Sequence, residues 1–177
     1  MPSLKYGLII LDRDGVLNVR NRFGYILNSE EFIFPKDLNR VKEVSREGIS
    51  IAVATNQQCV GLGLISIEEA VELSQMPLKS LGIVNSEIFL CPHLVSDNCD
   101  CRKPKSGLIQ QALIHSGIEK EQVIMIGDSI SDMQAAENAG IDFVGVCWDG
   151  KCLGDVCCHT LSNAVDRILT TYENGVL

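Results

Sequence analysis

Four aspartates in two short segments are the residues of this chain best suited to chemistry. Asp12 and Asp14 stand two apart in residues 11–18 (LDRDGVLN), and Asp128 and Asp132 stand four apart in residues 126–132 (IGDSISD). Carboxylates gathered at one place repel one another and stay ionised cheaply only beside a cation. Three or four oxygen ligands with no histidine suit a hard ion such as Mg²⁺, which keeps some of its waters and accepts a substrate phosphate. Taken singly, Asp12 and Asp14 also fit turn formers, and Asp128 a helix cap. That plainer reading weakens when all of them fall at strand ends together with Thr55 and Lys103.

A second constellation is softer. Cys91 and His93 form one i, i+2 pair, and Cys99 and Cys101 another. Residues two apart in an extended segment point to one side, so each pair can grip one ion. Four such ligands with no open position fit structural Zn²⁺, against the alternative of reduced thiols beside a surface histidine. Pro92, Pro104 and the polar residues 96–98 make residues 91–101 a loop. Arg102 and Lys103 follow at once, so zinc there would shape a wall of the lysine's site and leave the chemistry to others. Cys147, Cys152, Cys157, Cys158 and His159 are too loosely spaced for the same reading, and the four cysteines are expected to be buried thiols acting as small hydrophobes. Cys59 has no neighbour in sequence that would lower its pKa.

These residues need elements to position them. Apolar runs at residues 6–11, 49–54, 87–90, 123–126 and 143–146 read as strands buried on both faces, with a sixth short strand near the C-terminal cysteines. Helical spacing covers residues 38–47, 66–81, 106–116, 130–138 and 161–171. Ser66 with Glu69 is a capping box, Pro77 predicts a break or kink, and His115 is placed to meet its helix's C-terminal dipole. Strands alternating with helices give an α/β fold: a doubly wound, Rossmann-like parallel sheet of five or six strands. Ligands bind such sheets beyond the carboxyl ends of the strands. Residues 12–15, 55–57, 91–93 and 127–129 all fall there.

Composition narrows the class further. The 177 residues, 46% hydrophobic and 21% charged, suit a single domain spanning 1–177. A net charge of −8 argues against nucleic acid or an anionic membrane as partner. No apolar run approaches the roughly 20 residues of a membrane span, and the first residues make a poor signal peptide. A cytoplasmic monomer acting on a small metabolite is expected.

The motifs LDRDGVLN, Thr55 after the second strand, Lys103 before Pro104, and IGDSISD, in that order, resemble those of the haloacid-dehalogenase-like phosphohydrolases. The resemblance covers residues 8–145. It implies that Asp12 is the phosphoryl-accepting nucleophile and Asp14 the general acid and base. Thr55, Asn56, Arg102 and Lys103 would bind substrate. Asp12, the Asp14 carbonyl and Asp128 would hold Mg²⁺, with Asp132 supporting them. The intervals between the motifs leave room for a flap hairpin but for no separate cap domain.

The zinc loop (CPH…CDCRKP), Gly24-Tyr25 in the flap, residues 55–57 (TNQ) and residues 132–140 (DMQAAENAG) look like the D-glycero-D-manno-heptose 1,7-bisphosphate 7-phosphatase group. The short zinc loop itself is closer to the histidinol-phosphatase relatives. The heptose group carries an arginine and a lysine after TNQ, and residues 58–64 here have neither. Arg102 is left as the phosphate-facing cation, with Arg20, Arg22 and Lys105 as possible helpers better read as solvated surface charge. A phosphorylated heptose is the expected substrate, histidinol phosphate the alternative. A non-catalytic zinc-stabilised binding module is the reading from another class. The presence of all of Asp12, Asp14, Thr55, Lys103 and Asp128 argues against it.

Overall fold

The computed structural model describes residues 3–21, 24–147, 157–172 and 175–176. Six strands form one sheet: β1 (Leu8–Leu11), β2 (Ser50–Asn56), β3 (Glu87–Cys91), β4 (Val123–Gly127), β5 (Asp142–Val146) and β6 (Cys157–Cys158). Their order is β3-β2-β1-β4-β5-β6, and every neighbouring pair is parallel. Leu11 is in register with Val53 on one side and Ile126 on the other; β4 continues one residue further, to Gly127, and β2 three, to Asn56. The chain runs outward from β1 through β2 to β3, then returns to the other side of β1 as β4. The order reverses between β1 and β4. In open parallel sheets this switch point leaves a crevice at the strand ends, and Asp12 and Asp128 flank it.

The apolar runs are continuous because both faces of the sheet are covered. Successive side chains on a strand point to opposite faces. Ile9, Leu11, Val53, Ile124 and Ile126 therefore join one core, with Val41 and Val44 of α1 (Val41–Arg46) and Leu161, Val165 and Ile168 of α6 (Leu161–Leu169). Leu8, Ile10, Ala52, Ala54 and Met125 join the other. There they meet Leu108, Ile109 and Ala112 of α4 (Gly107–Ser116), and Ala135 and Ala136 of α5 (Ile130–Ala139). Short α2 (Gln58–Gly61) and the longer α3 (Ile67–Ser80) lie between β2 and β3.

Three local expectations are corrected. α3 starts at the predicted Ser66–Glu69 capping box but runs unbroken through Pro77. That proline lies in the helix's last turn, where its missing N–H removes one bond near an end already capped by Leu81. The helix expected over residues 38–47 is a 3₁₀ turn, Leu38–Arg40, followed by α1. The flap is not a hairpin: among its described residues it is a loop with one 3₁₀ turn, Ser29–Glu31, tied back by Val19 N–H to the Ile33 carbonyl (2.8 Å). His115 stands 3.5 Å from Glu87 across the sheet edge as well as in the last turn of α4.

Among the C-terminal cysteines, Cys147 is buried and Cys158 half-buried, both as free thiols. Cys157 is disulfide-bonded, so the thiol expectation fails there. Cys152 and Arg22 lie outside the described residues. Among the described residues, no helix is long and apolar enough to cross a membrane.

Ile10 is fully buried in the central strand. Ile10→Ala is expected to cost about 2–5 kcal/mol through lost burial and the cavity left behind. Urea unfolding should show this as a lower midpoint at unchanged slope. A loss under about 1 kcal/mol would contradict a close-packed sheet interior.

Candidate active site

The end of β1 delivers Asp12, which is 6% exposed. Its main-chain N–H donates to the Ile126 carbonyl (2.9 Å), so the last rung between β1 and β4 sets its position. Lys103 enters from the far side of the zinc loop, 3% exposed. Its ammonium donates to Asp12 Oδ1 (2.8 Å) and to the Ala54 carbonyl (2.7 Å) and lies 2.5 Å from Asp132 Oδ1. Burial pulls the ammonium's pKa down, and the carboxylates of Asp12 and Asp132 more than reverse it, so Lys103 stays charged. Asp132, fully buried, is also the N3 residue of a capping box that opens α5. Its Oδ2 accepts from Ser129 N–H (3.1 Å) and Oγ (2.6 Å).

Asp14 is held differently. Arg13, 1% exposed, folds back so that its Nη2 lies 2.9 and 3.0 Å from the two carboxylate oxygens. Asn18 Nδ2 donates to Oδ1 (3.1 Å) and Gln57 Nε2 to Oδ2 (2.8 Å). The same Gln57 nitrogen lies 2.8 Å from Thr55 Oγ1, which puts Asp14 and Thr55 in one frame. The turn that lets the chain do this needs Gly15. Its φ is +96°, and a Cβ there would stand 1.8 Å from Asp128 Oδ2.

Asn56, expected to touch substrate, lines the cavity but spends its amide on the main chain of Lys103. Nδ2 donates to the Lys103 carbonyl (3.0 Å), and Lys103 N–H donates to Oδ1 (3.1 Å). Arg102 also lines the cavity. It reaches across to the His93 carbonyl (3.2 Å) and Gln58 Oε1 (3.3 Å), and Gln58 in turn donates to the Tyr25 hydroxyl (2.6 Å). Lys105 turns instead to Asn98 and Asp100 of the zinc loop. Arg20 is no bystander: Nη2 donates to Asp128 Oδ1 (2.6 Å) and to the Asp14 carbonyl (3.3 Å). Arg13, Asn18 and Gln57 were not singled out from sequence as site residues. The available signal was their place inside the LDRDGVLN and TNQ motifs. Cys59 is buried 3.6 Å from Gln57 Oε1, and burial pushes its thiol pKa up, away from reactivity. The cavity these groups enclose has a volume of about 270 Å³.

Two groups of donors fit metal ions. Oxygens of Asp12, Asp128 and Asp132 lie within 4.8 Å of one another. The Arg20 guanidinium already bridges Asp128 and the Asp14 carbonyl as a stand-in cation, which shows that these oxygens converge. An all-oxygen set of this kind fits Mg²⁺. Asp132 joins the cluster, but both its oxygens are engaged by Lys103 and Ser129. In the other group, ligand atoms of Cys91, His93, Cys99 and Cys101 all lie within 4.8 Å of one another, and four of the six separations are 3.2–3.6 Å. A tetrahedral zinc with bonds of about 2.1–2.3 Å has edges of roughly 3.5–3.8 Å, so the cage matches. Within it Cys99 falls to about 7. Burial opposes that shift but is outweighed by the Arg102 N–H and the thiols of Cys101 and Cys91. Burial and the two neighbouring thiols push Cys101 up to about 12.

Comparison with known proteins places this geometry in context. The family model for haloacid dehalogenase-like hydrolases matches residues 32–146, more than half of the chain. The chain is 34% identical over 144 residues to the D-glycero-beta-D-manno-heptose-1,7-bisphosphate 7-phosphatase of Haemophilus ducreyi, covering 75% of this chain and 78% of that protein. It is 34% identical over 141 residues to the histidine biosynthesis bifunctional protein HisB of Campylobacter jejuni subsp. doylei, covering 76% of this chain but 40% of that protein. A crystal structure of the D,D-heptose 1,7-bisphosphate phosphatase from B. bronchiseptica, complexed with magnesium and phosphate, superposes with a TM-score of 0.80. That pair shares 28% identity over 92% of this chain and 97% of the other.

The electrostatics predict a pH effect on cation binding. Burial and the neighbouring Asp132 push Asp12 up to about 7, despite the pull of Lys103. Burial pushes Asp128 up to about 6, opposed chiefly by Arg20. Both hold protons near pH 6 that a divalent ion must drive off. Mg²⁺ binding should therefore release protons near pH 6 and weaken as pH falls below about 7. Calorimetry in buffers of different ionisation enthalpy measures the release. No net proton release at pH 6 would contradict the shifts.

Proposed function

The chain belongs to the haloacid dehalogenase-like hydrolases, and from that premise we propose how it works. It is a phosphatase, a phosphoric monoester hydrolase, that removes the 7-phosphate of D-glycero-D-manno-heptose 1,7-bisphosphate through an aspartyl-phosphate on Asp12. The observation that carries this reading is the buried contact of Lys103 with Asp12, in the cavity that Asp14 also lines.

The substrate phosphate enters against Lys103 and Thr55, which bind its non-bridging oxygens. Asp12 attacks phosphorus, the bond to the sugar oxygen breaks, and Asp14 gives that oxygen its proton. The deprotonated Asp14 then takes a proton from water as the water attacks phosphorus, which frees Asp12 and inorganic phosphate. Arg13, Asn18 and Gln57 keep Asp14 within the turn that also carries Asp12, so acid and nucleophile move as one rigid unit. Asn56 acts through Lys103, holding its main chain in place. Asp12, Asp128 and the Asp14 carbonyl would hold Mg²⁺, which would supply positive charge that lets a carboxylate approach an anionic phosphate.

We assign Cys91, His93, Cys99 and Cys101 to a structural Zn²⁺. The loop it would close is tied to the residue after β2 by Gln57 N–H to the Cys91 carbonyl (2.8 Å) and to α2 by Gly61 N–H to the Pro92 carbonyl (2.9 Å). The ion would thus hold Arg102 and Lys103 against the cavity. The free thiols of Cys91, Cys99 and Cys101 fit a reducing compartment, although Cys157 is disulfide-bonded, and on the zinc site we propose the cytoplasm.

The cavity volume suits one sugar phosphate, lying near the lower end of small-molecule sites. The heptose reading rests on the named relatives and on Arg102 at the cavity wall. The likeness to HisB favours histidinol phosphate as the second reading. Phosphate release from the two compounds, side by side with Mg²⁺, separates them. The heptose bisphosphate is expected to be preferred, and a preference for histidinol phosphate would overturn the assignment.

Two variants test the roles. Asp12→Asn should cut turnover to below about one ten-thousandth while leaving the circular dichroism spectrum unchanged. Retained turnover would remove Asp12 as nucleophile. Cys99→Ser should lower bound metal from about one zinc per chain and reduce Tm before it reduces kcat. Unchanged zinc content by atomic absorption would refute the ligand set.

A further inference from the structure

Arg20 has no part in the chemistry above, yet its guanidinium touches two oxygens that chemistry needs. It donates to Asp128 Oδ1 at 2.6 Å and to the Asp14 carbonyl at 3.3 Å. These are two of the three groups assigned to Mg²⁺, and a guanidinium and a divalent ion cannot both take them. Asp128 is 9% exposed at its side chain while Arg20 is 50% exposed, so the arginine reaches in from the mouth of the cavity. An arginine with so much of its side chain in water forms a weak, reversible pair. A divalent ion with an all-oxygen shell holds such ligands more tightly, and the contest ends with Arg20 displaced.

The displaced side chain stays at the same cavity. Arg20 lines it together with Arg102, Asn21 and Tyr25. Arg13 lines it too, but its guanidinium is committed to Asp14, and Lys103 is committed to Asp12 and Asp132. Residues 58–64, which follow Gln57 at the rim, contain no arginine or lysine. A substrate with two phosphates places one on Asp12 and needs a cation for the other. Among the described residues, Arg102 and Arg20 are the cations of this cavity left to supply it.

We propose that Arg20 is a metal-released specificity residue: it competes with the divalent ion for Asp128 and the Asp14 carbonyl, and once displaced it binds the non-reacting phosphate of a bisphosphorylated sugar. The second half of the inference rests on the bisphosphate reading above. The first half does not. Metal binding thereby becomes coupled to recognition, because the ion that prepares the nucleophile also frees the side chain that holds the far end of the substrate.

The test uses the zinc-loaded protein and Mn²⁺ as probe, with free Mn²⁺ measured by electron paramagnetic resonance. Arg20→Gln is expected to tighten Mn²⁺ binding by up to about fivefold, the worth of an exposed ion pair. Arg102→Gln removes the same charge from the same cavity without touching either oxygen, and should tighten it less than about twofold. Equal tightening by both variants, or none by Arg20→Gln, would overturn the competition. In steady-state assays at saturating Mg²⁺, Arg20→Gln should raise KM for the heptose bisphosphate about tenfold more than for p-nitrophenyl phosphate, as expected for a lost charge-assisted hydrogen bond. Equal changes in both KM values would overturn the phosphate contact. The Mn²⁺ titration contains no substrate, so it stands even if the heptose bisphosphate proves not to be the substrate.

Discussion

The ammonium of Lys103, buried between Asp12 and Asp132, is the interaction on which the rest of this structure depends. Its three partners come from three places: Asp12 from the end of β1, the Ala54 carbonyl from β2, and Asp132 from the first turn of α5. A charge so buried costs several kcal/mol of desolvation unless its partners compensate. Two carboxylates against one ammonium leave the cluster with a surplus of negative charge, and that surplus, with burial, holds Asp12 near neutrality. The site is therefore built to accept more positive charge. A divalent ion and the guanidinium of Arg20 are two ways of meeting that one electrostatic demand.

The fold brings these groups together with little irregular backbone. β1, β2 and β4 run parallel with their carboxyl ends at one edge of the sheet, so the residues after Leu11 and Gly127 meet the last residues of β2 where strand order reverses. The departures from regular geometry fall where the site needs them. Gly15 has a positive φ and no room for a side chain beside Asp128, and Gly127 ends β4 where a Cβ would stand 2.4 Å from that of Asp132. The zinc loop places Arg102 and Lys103 without a helix or strand of their own. Its hydrogen bonds from Gln57 and Gly61, and the paired bonds between Asn56 and the Lys103 main chain, do the positioning that a regular element would otherwise do.

Much of this was legible in the sequence because the signals were local. Buried strands announce themselves as apolar runs, the Ser66–Glu69 box opens α3 as its spacing predicts, and the polar residues that converge follow strands. The cysteine and histidine spacing likewise presaged the four-atom cage. Contacts between distant segments were not legible. Arg20 read as surface charge because its partner Asp128 is 108 residues away, and Asn56 read as a substrate contact because nothing local ties it to Lys103. Asp132 carries two roles that spacing alone could not separate, a helix cap for α5 and a counter-ion for Lys103. The flap hairpin failed as an expectation because, among the described residues, one cross-loop hydrogen bond and a 3₁₀ turn close the segment without pairing strands.

The central claim is that phosphate passes through a covalent bond to Asp12. It is tested most directly by trapping that bond in an Asp14→Asn variant, which lacks the base for the second step. With p-nitrophenyl phosphate, whose leaving group needs little acid assistance, acid-quenched protein would be digested and its peptides weighed by mass spectrometry. The account predicts a phosphate mass on the peptide containing Asp12, removed by hydroxylamine as an acyl phosphate should be. Phosphate released at a normal rate with no labelled peptide, or a label on any other residue, would contradict it.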